Sequence, residues 1–464
     1  MTQSQSPEEP ASPATGGARR AEHPIAPRFR ARRAQNWVFL GLMYAMFYMA
    51  RYNLSVADPY LLKAFGWTKE DLGILKSAGL ITYGISVFLN GPLADRIGGK
   101  RAILIGAAGS AVANVVFALL GSHLAAGGGG RAAAVALAFV CAANYYFQSF
   151  GALSIVKINA AWFNVRERGG FAGIFGIMIQ LGRMLPFVVG AQLLAHLPWP
   201  SVFLVPAAML ILILILNFIL VEDSPARAGL GDYDTGDESA EDAARPATLG
   251  FVLRKVFATP VAWVIAGASF CTGIVRQGIL DQWSILYFKE VHGLLPNAPL
   301  VQLLQAWLIP AFSVVAGLTA GFASDRIFGA RRGPVICIAF GGQIVALLLL
   351  GQVQSALPAV LVLAGLQFFI NAGHSLIGGA ASMDFGGKKA AATAAGLFDG
   401  MQYVAGSVVG YGMGALLQRH GWGIWTWVVL PFAVLGATLA ASLWNTLPKR
   451  TVAVVPTALE ADAA

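Results

Sequence analysis

The sequence predicts an all-α membrane protein with twelve transmembrane helices in two pseudo-symmetric six-helix halves. Of its 464 residues, 57% are hydrophobic and only 12% are charged, and the mean hydropathy is +0.66. Soluble domains carry roughly 25% charged residues. Apolar runs of about twenty residues, the length that crosses a bilayer as a helix, recur along the whole chain. An internal repeat divides these runs into two sets of six.

The order of the apolar runs gives the predicted order of the helices. None of the runs alternates polar and apolar residues as barrel strands do, so helices are the structure expected in lipid. The predicted spans are 36–62, 71–91, 102–121, 132–160, 169–195 and 201–221 in the first half, and 257–287, 299–323, 333–352, 357–382, 390–417 and 422–446 in the second.

Polar segments flank and separate the two sets of spans. Residues 1–35 are rich in Pro, Ala and Ser, which predicts a disordered tail without a signal peptide. An acidic linker rich in Pro and Gly, residues 222–256, joins the halves 36–221 and 257–446, and residues 447–464 form a second tail.

The distribution of basic residues predicts the orientation. Alternate loops and the tails hold 22 of the 32 Lys and Arg residues, and the opposite loops hold five. Both termini are therefore expected in the cytoplasm, with the protein in the cell (inner) membrane. This asymmetry explains most of the net charge of +9, so the expected surrounding is lipid bilayer and no nucleic acid partner is needed. The remaining five bases lie within apolar runs: Arg51, Lys76, Lys157, Arg183 and Arg276.

Two loops carry the same motif. GPLADRIGGKR follows the second span and GFASDRIFGARRG follows the eighth, with Asp95 and Asp325 separated by 230 residues. The acid can meet the N-terminus of a neighbouring helix, and the bases can latch a cytoplasmic gate. The predicted gate residues are Gly91, Asp95, Arg96, Gly98, Lys100 and Arg101 in the first copy, and Gly321, Asp325, Arg326, Arg331 and Arg332 in the second.

Two arginines occupy equivalent places in the halves. Arg51 in the first span and Arg276 in the seventh are 225 residues apart, so the halves are related by a shift of 225 to 230 residues. Parallel six-helix halves joined by a central cytoplasmic loop are the plan of major facilitator transporters, which bind substrate between the halves. That plan brings both arginines to one interface.

A buried arginine needs a wet cavity or a partner, because at mid-bilayer it costs at least about 2.5–3.5 kcal/mol. Two guanidinium groups facing one cavity favour a bridging anion, and their forks match phosphate or carboxylate. The alternative is internal pairing of Arg51 with Asp58 and of Arg276 with Asp281. Each acid lies more than one turn from its arginine, so pairing within one helix is expected to be poor.

Five segments resemble the organophosphate:phosphate antiporters, the family of glycerol-3-phosphate and hexose-phosphate transporters. The resemblance runs from the first span to the last, and its most specific piece is the R-x-G-I-L-D string of the seventh. The segments are YAMFYMARYNLSVADPYLL, DLGILKSAGLITYGIS, ERGGFAG, VRQGILDQWSILYFKEV and KKAAATAAG.

The resemblance implies roles for particular residues. In that family an arginine from each half grips the phosphoryl group, and Arg51 and Arg276 fall on those positions. Hydroxyl groups on cavity faces can bind phosphate or polyol oxygens, although a single tyrosine in a span is also a common packing residue. The further positions that match cavity residues of the family are Tyr44, Tyr48, Tyr83, Tyr403 and Gln148.

This chain departs from the family pattern at several bases. Val87 stands where family members carry a lysine, Ile179 where they carry a histidine, and Tyr52 where a base follows the first arginine. Lys157 replaces an arginine of the fourth span. The two-arginine clamp therefore remains while its auxiliary bases are missing.

Other polar groups appear in the spans. Arg183 lies one turn beyond Ile179 on the same face, and either faces the cavity or pairs with a nearby acid or carbonyl. His374 is either a hydrogen-bonded packing residue or a proton site. Asp281 and Asp399 are the other candidates for proton coupling.

The predicted function is secondary transport of a small organic anion. No nucleotide-binding loop is present, so ATP does not drive transport, and neither a cofactor nor a metal nor an enzymatic activity is expected. The resemblance implies a monomer that works by alternating access and exchanges a phosphorylated metabolite for inorganic phosphate. Two alternatives stay open: a proton-coupled carrier of a carboxylate or phosphonate, and a sugar-phosphate sensor.

Overall fold

The computed structural model describes residues 27–164, 168–231, 233, 258–329, 331–377 and 382–446. Residues 27–35 of the predicted first tail are helical, so the disorder predicted there is wrong. Residues 1–26, most of the predicted linker and the whole predicted second tail lie outside the described residues. The disorder expected for residues 1–26 therefore stays a prediction.

Within the described residues, twelve helical spans follow one another in the predicted order, which confirms the fold class. The first half contains α1 (Pro27–Phe65), α2 (Lys69–Ile97), α3 (Gly99–Ala126), α4 (Gly130–Gln148 continuing as Phe150–Trp162), α5 (Arg168–Leu185 continuing through Pro186–Gly190 and Ala191–His196) and α6 (Ser201–Leu220).

The second half repeats this arrangement. It contains α7 (Pro260–Val275, the π turn Arg276–Asp281, then Ser284–His292), α8 (Pro299–Gln302, Leu303–Leu308, Ile309–Phe322 and Ala323–Ile327), α9 (Arg332–Leu350), α10 (Ala356–Ser375), α11 (Ser382–His420) and α12 (Trp425–Ser442, after the turn Trp422–Ile424).

Nine stretches in the described ranges are long and apolar enough to cross a membrane. The spans α1, α2 and α11 are not among them. Each of these three carries polar side chains towards the centre of the molecule, such as Arg51, Lys76 and Gln402, all of which are buried. Polar side chains that are buried in the protein interior therefore lower the mean hydropathy of the helices that carry them.

Local signals in the sequence set the helix ends. At the start of α2, Thr68 and Asp71 form a capping box: the Asp71 amide donates to Oγ1 of Thr68 (3.2 Å), and the Thr68 amide donates to Oδ2 of Asp71 (3.1 Å). Gly98, with φ of +94°, makes the sharp turn from α2 into α3 that a side chain would strain.

The two halves pack most extensively along α2 and α11. Small residues allow this approach, since a Cβ atom added to Gly73 would lie 2.4 Å from the carbonyl oxygen of Gly410.

We call the side of the molecule on which α1 begins the tail side and the side on which α1 ends the far side.

Hydrogen bonds between the halves, as far as the described residues go, lie at the level of Arg51 or on its far side. Near the far surface, Tyr411 donates to Glu70 (2.6 Å) and Lys69 pairs with Glu290 (2.9 Å). Deeper, Ser77 donates to the carbonyl of Ser407 (2.5 Å). In this conformation the far side is closed by direct contact.

The glycine contact between α2 and α11 is testable. Gly73→Ala should destabilise this closed arrangement by about 1–3 kcal/mol, because the new methyl group meets backbone that cannot move aside. Thermal unfolding of the purified protein in detergent measures the effect. Gly412→Ala on α11 is the matched control: its Cβ would meet nothing within 4 Å. An unchanged melting temperature for Gly73→Ala would contradict the close packing described here.

Candidate anion-binding site between the two halves

A small cavity of about 30 Å³ lies between the halves, closed on its far side by the contacts above. Both predicted arginines line it, together with the predicted Tyr48, Tyr403 and Asp281. The remaining lining residues are Tyr52, Leu54, Ser55, Lys76, Leu80, Tyr145, Gln277 and Gln282. The volume suits a water-sized molecule, so a larger ligand requires the halves to move apart.

Arg51 is buried and held within the first half. Its Nε donates to Oε1 of Gln148 at 2.7 Å, which brings together two residues that the sequence predicts for the site. The guanidinium carbon lies 4.4 Å from the ring centroid of Tyr83 and 5.2 Å from that of Tyr48. Its Nη2 has no hydrogen-bond partner in the described structure. A buried, unpartnered N–H of a guanidinium is a donor available to an anion.

The predicted tyrosines surround this arginine. Tyr44 packs edge-on against Tyr48, with ring centroids 5.2 Å apart, and Tyr83 lies 4.4 Å from Tyr403 across the interface between halves. Tyr48 and Tyr403 line the cavity, whereas Tyr44 and Tyr83 contact these two rings without lining it.

A cluster of amide side chains fixes Arg51, and of its members the sequence predicted only Gln148. Asn114, Asn144 and Gln148 all donate to the carbonyl oxygen of Ala50, at 3.4, 3.0 and 3.2 Å. Asn53 joins the cluster by donating to Oδ1 of Asn114 at 2.7 Å. Amides recurring within apolar spans were the available signal, because buried amides need partners.

Arg276 pairs with Asp281 on its own helix, so the expectation that such pairing is poor is wrong for this residue. Nε of Arg276 donates to Oδ2 of Asp281 at 2.9 Å. The reason is the π turn Arg276–Asp281, in which hydrogen bonds span five residues and side chains five apart face each other. The predicted alternative for the first half does not form: Arg51 binds Gln148, and Asp58 pairs with Lys76.

Asp281 also joins the two halves. Arg183 of α5 donates from Nη2 to Oδ1 of Asp281, and the Tyr52 hydroxyl donates to Oδ2 at 3.3 Å. Of the two roles open for Arg183, pairing with a nearby acid is the one observed. Tyr52, where the resembled family has a base, contacts the same carboxylate.

His374 and Asp399 both interact with Arg276, the first through Gln402 and the second through its charge. Nδ1 of His374 lies 2.7 Å from Nε2 of Gln402, and Oε1 of Gln402 accepts from Nη1 of Arg276 at 3.4 Å. His374 is thus a hydrogen-bonded residue connected to the site through Gln402. Asp399 interacts electrostatically with Arg276 and Arg51 but forms no hydrogen bond or ion pair within the described structure.

Lys76 and Lys157 both lie within apolar runs of the sequence, but their surroundings in the structure differ strongly. Lys76 is 4% exposed and pairs with Asp58, which is fully buried. Lys157 instead reaches the tail-side end of α2, where its Nζ donates to the carbonyl of Ala94 at 3.1 Å. Only Lys76 lines the central cavity.

The predicted gate residues lie on the tail side. Arg332, at the start of α9, donates to Oδ1 of Asp325 at 2.6 Å, so this acid does meet a neighbouring helix start. In the first half, Asp223 accepts from the backbone amide of Lys100 at 2.7 Å, and the Lys100 ammonium pairs with Glu222 at 2.8 Å. The side chain of Asp95 lies outside the described part of the structure.

Among the other gate residues, four arginines are exposed, and two of the three glycines have open space where a side chain would be added. Gly91 and Gly321 have nothing within 4 Å of an added Cβ, whereas Gly98 faces Asp223 at 3.3 Å. The exposed arginines are Arg96, Arg101, Arg326 and Arg331.

The charges around the cavity nearly balance. Arg51, Arg183, Arg276 and Lys76 carry four positive charges, and Asp58, Asp281 and Asp399 carry three negative ones when all are ionised. Two guanidinium groups share Asp281, which leaves the unpartnered donor on Arg51 as the strongest feature for an incoming anion.

The chain is similar to proteins of known family. The sequence model of the Major Facilitator Superfamily matches residues 40–410. The chain is 29% identical over 427 residues to the glycerol-3-phosphate transporter of Bacillus subtilis, covering 88% of this chain and 92% of that protein. It is 26% identical to the membrane sensor protein UhpC of Salmonella typhimurium, covering 92% and 93%.

The hexose-6-phosphate:phosphate antiporter of Escherichia coli is 28% identical, covering 89% of this chain and 90% of that protein. Among solved structures, a bacterial homolog of the human lysosomal transporter Spinster, in an inward-facing and unoccupied conformation, superposes with a TM-score of 0.71 at 15% identity. It covers 90% of this chain and 98% of that one, a likeness of fold.

The contact between Arg51 and Gln148 is open to a direct test. Gln148→Leu should destabilise the protein by about 1.5–3 kcal/mol, because it removes a hydrogen bond to a charged group and an amide from a buried network. Thermal unfolding in detergent reports the change. Gln343→Leu is the matched control, since both amide atoms of the fully buried Gln343 lack partners in the described structure. Equal melting temperatures for the two variants would show that Gln148 contributes no such bond.

Proposed function

The chain belongs to the Major Facilitator Superfamily, and we propose that it exchanges a phosphorylated metabolite for inorganic phosphate by alternating access. The resemblance to the organophosphate:phosphate antiporters is confirmed by relatives that include a glycerol-3-phosphate transporter and a hexose-6-phosphate:phosphate antiporter. The chain is a transporter of small organic anions rather than an enzyme.

The observation that carries this proposal is the approach of two arginines, one from each half, to a single cavity. A phosphoryl group offers several acceptor oxygens and can accept from both guanidinium forks at once. Arg51 supplies a free N–H for this purpose, and the hydroxyl groups of Tyr48 and Tyr403 supply neutral donors beside it.

Substrate binding would compete with an internal anion. Asp281 neutralises Arg276 and Arg183 when no substrate is present, so an incoming phosphoryl group gains Arg276 only by weakening that pair. Because Arg183 and Asp281 lie in opposite halves, loosening this contact would also loosen the far-side closure. Binding and rocking of the halves are thereby linked through one carboxylate.

The protein is a multi-pass membrane protein, and its basic loops support the tail side as the cytoplasmic side. Excess Lys and Arg in the loops on this side, including Lys100, Arg326 and Arg332, follow the distribution found in cytoplasmic loops. We place it in the cell (inner) membrane as a monomer, with both termini in the cytoplasm.

A proton-coupled carrier is the second candidate, and Asp399 favours it. This carboxylate has no hydrogen-bond or ion-pair partner within the described residues, yet it lies within electrostatic reach of both clamp arginines. Protonation of Asp399, His374 or Asp281 could supply the charge change that a counter-anion otherwise supplies. The similarity to UhpC keeps a sensor role as a further alternative.

The clamp hypothesis predicts that lysine cannot replace either arginine. Arg51→Lys and Arg276→Lys should each reduce phosphate exchange in proteoliposomes by roughly 50-fold or more, because an ammonium group lacks the planar two-point fork. Arg131→Lys, at an exposed arginine on the far side, is the control and should exchange normally. Near-normal exchange by either clamp variant, with normal insertion, would remove the hypothesis.

The coupling mechanism predicts what must be inside the vesicle. An exchanger should take up labelled phosphate strongly when the vesicle contains phosphate, and should remain silent in empty vesicles whatever the pH gradient. Proton-driven uptake into phosphate-free vesicles, lost in Asp399→Asn, would instead establish the second candidate. The Arg51→Lys variant serves as the transport-deficient reference in both arms.

A further inference from the structure

The Asp58–Lys76 pair is the most deeply buried ion pair among the described residues, and the arginine clamp does not use it. Asp58 of α1 is 0% exposed and Lys76 of α2 is 4% exposed. A buried ion pair is costly unless further hydrogen bonds satisfy its remaining donors and acceptors. The other contacts of Lys76 therefore indicate why the chain carries this pair.

Lys76 reaches across to the opposite half. Its ammonium donates to the backbone carbonyl of Gln282 in α7 and lies 4.6 Å from the ring of Trp283. Gln282 lies in the short break between the π turn Arg276–Asp281 and the helix Ser284–His292. The lysine thus binds α7 at the point where its helical hydrogen bonding changes.

A second donor from the first half binds the neighbouring carbonyl. Oγ of Ser55 donates to the backbone oxygen of Asp281 at 3.1 Å. Two successive carbonyls at the end of the π turn, those of Asp281 and Gln282, therefore accept from the first half. Within α7, the backbone amide of Gln282 donates to the backbone carbonyl of Gln277 at 3.2 Å and so closes the π turn.

The π turn Arg276–Asp281 determines the position of the Arg276 side chain. Its geometry brings Arg276 against Asp281 and directs both side chains into the cavity. Any contact that fixes the end of this turn fixes the position of the second clamp arginine.

We propose that Lys76, held in place by Asp58, is a positioning residue for Arg276: it fixes the π turn of α7 only while the far side is closed. This inference rests on the proposed function of Arg276 in binding an anion. Opening of the far side must separate Lys76 from Gln282, because the two lie in different halves. The turn is then released, and the anion affinity of Arg276 changes with the side to which the cavity opens.

Two double variants separate this role from a purely structural one. Asp58→Leu with Lys76→Met removes both charges and the contact to Gln282. Asp58→Lys with Lys76→Asp keeps a buried ion pair but places a carboxylate, which cannot donate, beside the Gln282 carbonyl. If the pair served only to stabilise the first half, the exchanged pair would restore wild-type behaviour.

Two measurements are made on the full-length protein in detergent. The first is the Kd for inorganic phosphate. The second is the distance across the far side between spin labels at Lys63→Cys and Leu295→Cys, two exposed positions in opposite halves. Both double variants should bind phosphate about tenfold more weakly and show a larger population of long label distances. Arg227→Gln, which breaks an exposed pair with Asp223 within the first half on the tail side, should change neither quantity.

The possible failures are distinguishable. Phosphate affinity and label distances within twofold of wild type in both double variants, or restored by the exchanged pair, would overturn the proposal. If the wild-type protein binds no phosphate, the proposed function fails, and the label distances still test the inter-half contact. If the double variants do not fold, Ser55→Ala removes the other donor to the same turn and should shift both measurements in the same direction.

Discussion

The shared carboxylate of Asp281 is the interaction on which the rest of the site depends. Arginine does not lose its proton at any physiological pH, so each buried guanidinium needs a permanent anionic or polar partner. Asp281 serves Arg276 of its own helix and Arg183 of the opposite half. One acid therefore satisfies two otherwise costly charges and at the same time ties the halves together.

Arg51 is satisfied by a different means, and the difference matters for binding. Its partners are the amide of Gln148 and the faces of tyrosine rings, none of which carries a negative charge. The amides of Asn114, Asn144 and Gln148 converge on the carbonyl next to it. A hydrogen-bonded network of this kind holds a charged group in place without neutralising it. The positive field at the cavity therefore comes mainly from the first half, while the second half carries its charge with a built-in counter-ion.

The π turn of α7 connects the site to the closure of the far side. A continuous α-helix would place Arg276 and Asp281 on different faces and would leave no break for partners from the first half. With the turn, Asp281 and Gln282 present backbone carbonyls to Ser55 and Lys76. Discontinuous helices at the level of the binding site recur in transporters because their free backbone groups can accept ligands or partners. Here the partners are side chains of the opposite half.

The sequence by itself determined the fold and the main candidates for the site. Twelve apolar runs require twelve helices, because lipid leaves no other way to satisfy the backbone, and the repeated D-R loops with Arg51 and Arg276 establish two equivalent halves. It could not determine which acid pairs with which base. That choice depends on helix rotation, on the π turn and on contacts between residues far apart in the chain. Pairing rules based on α-helical spacing therefore failed for Arg276 and Asp281, and the Asp58–Lys76–Gln282 contact could not be predicted. Only the tertiary structure decided these partners, because buried charges are satisfied by whatever groups the packed helices bring within hydrogen-bonding distance.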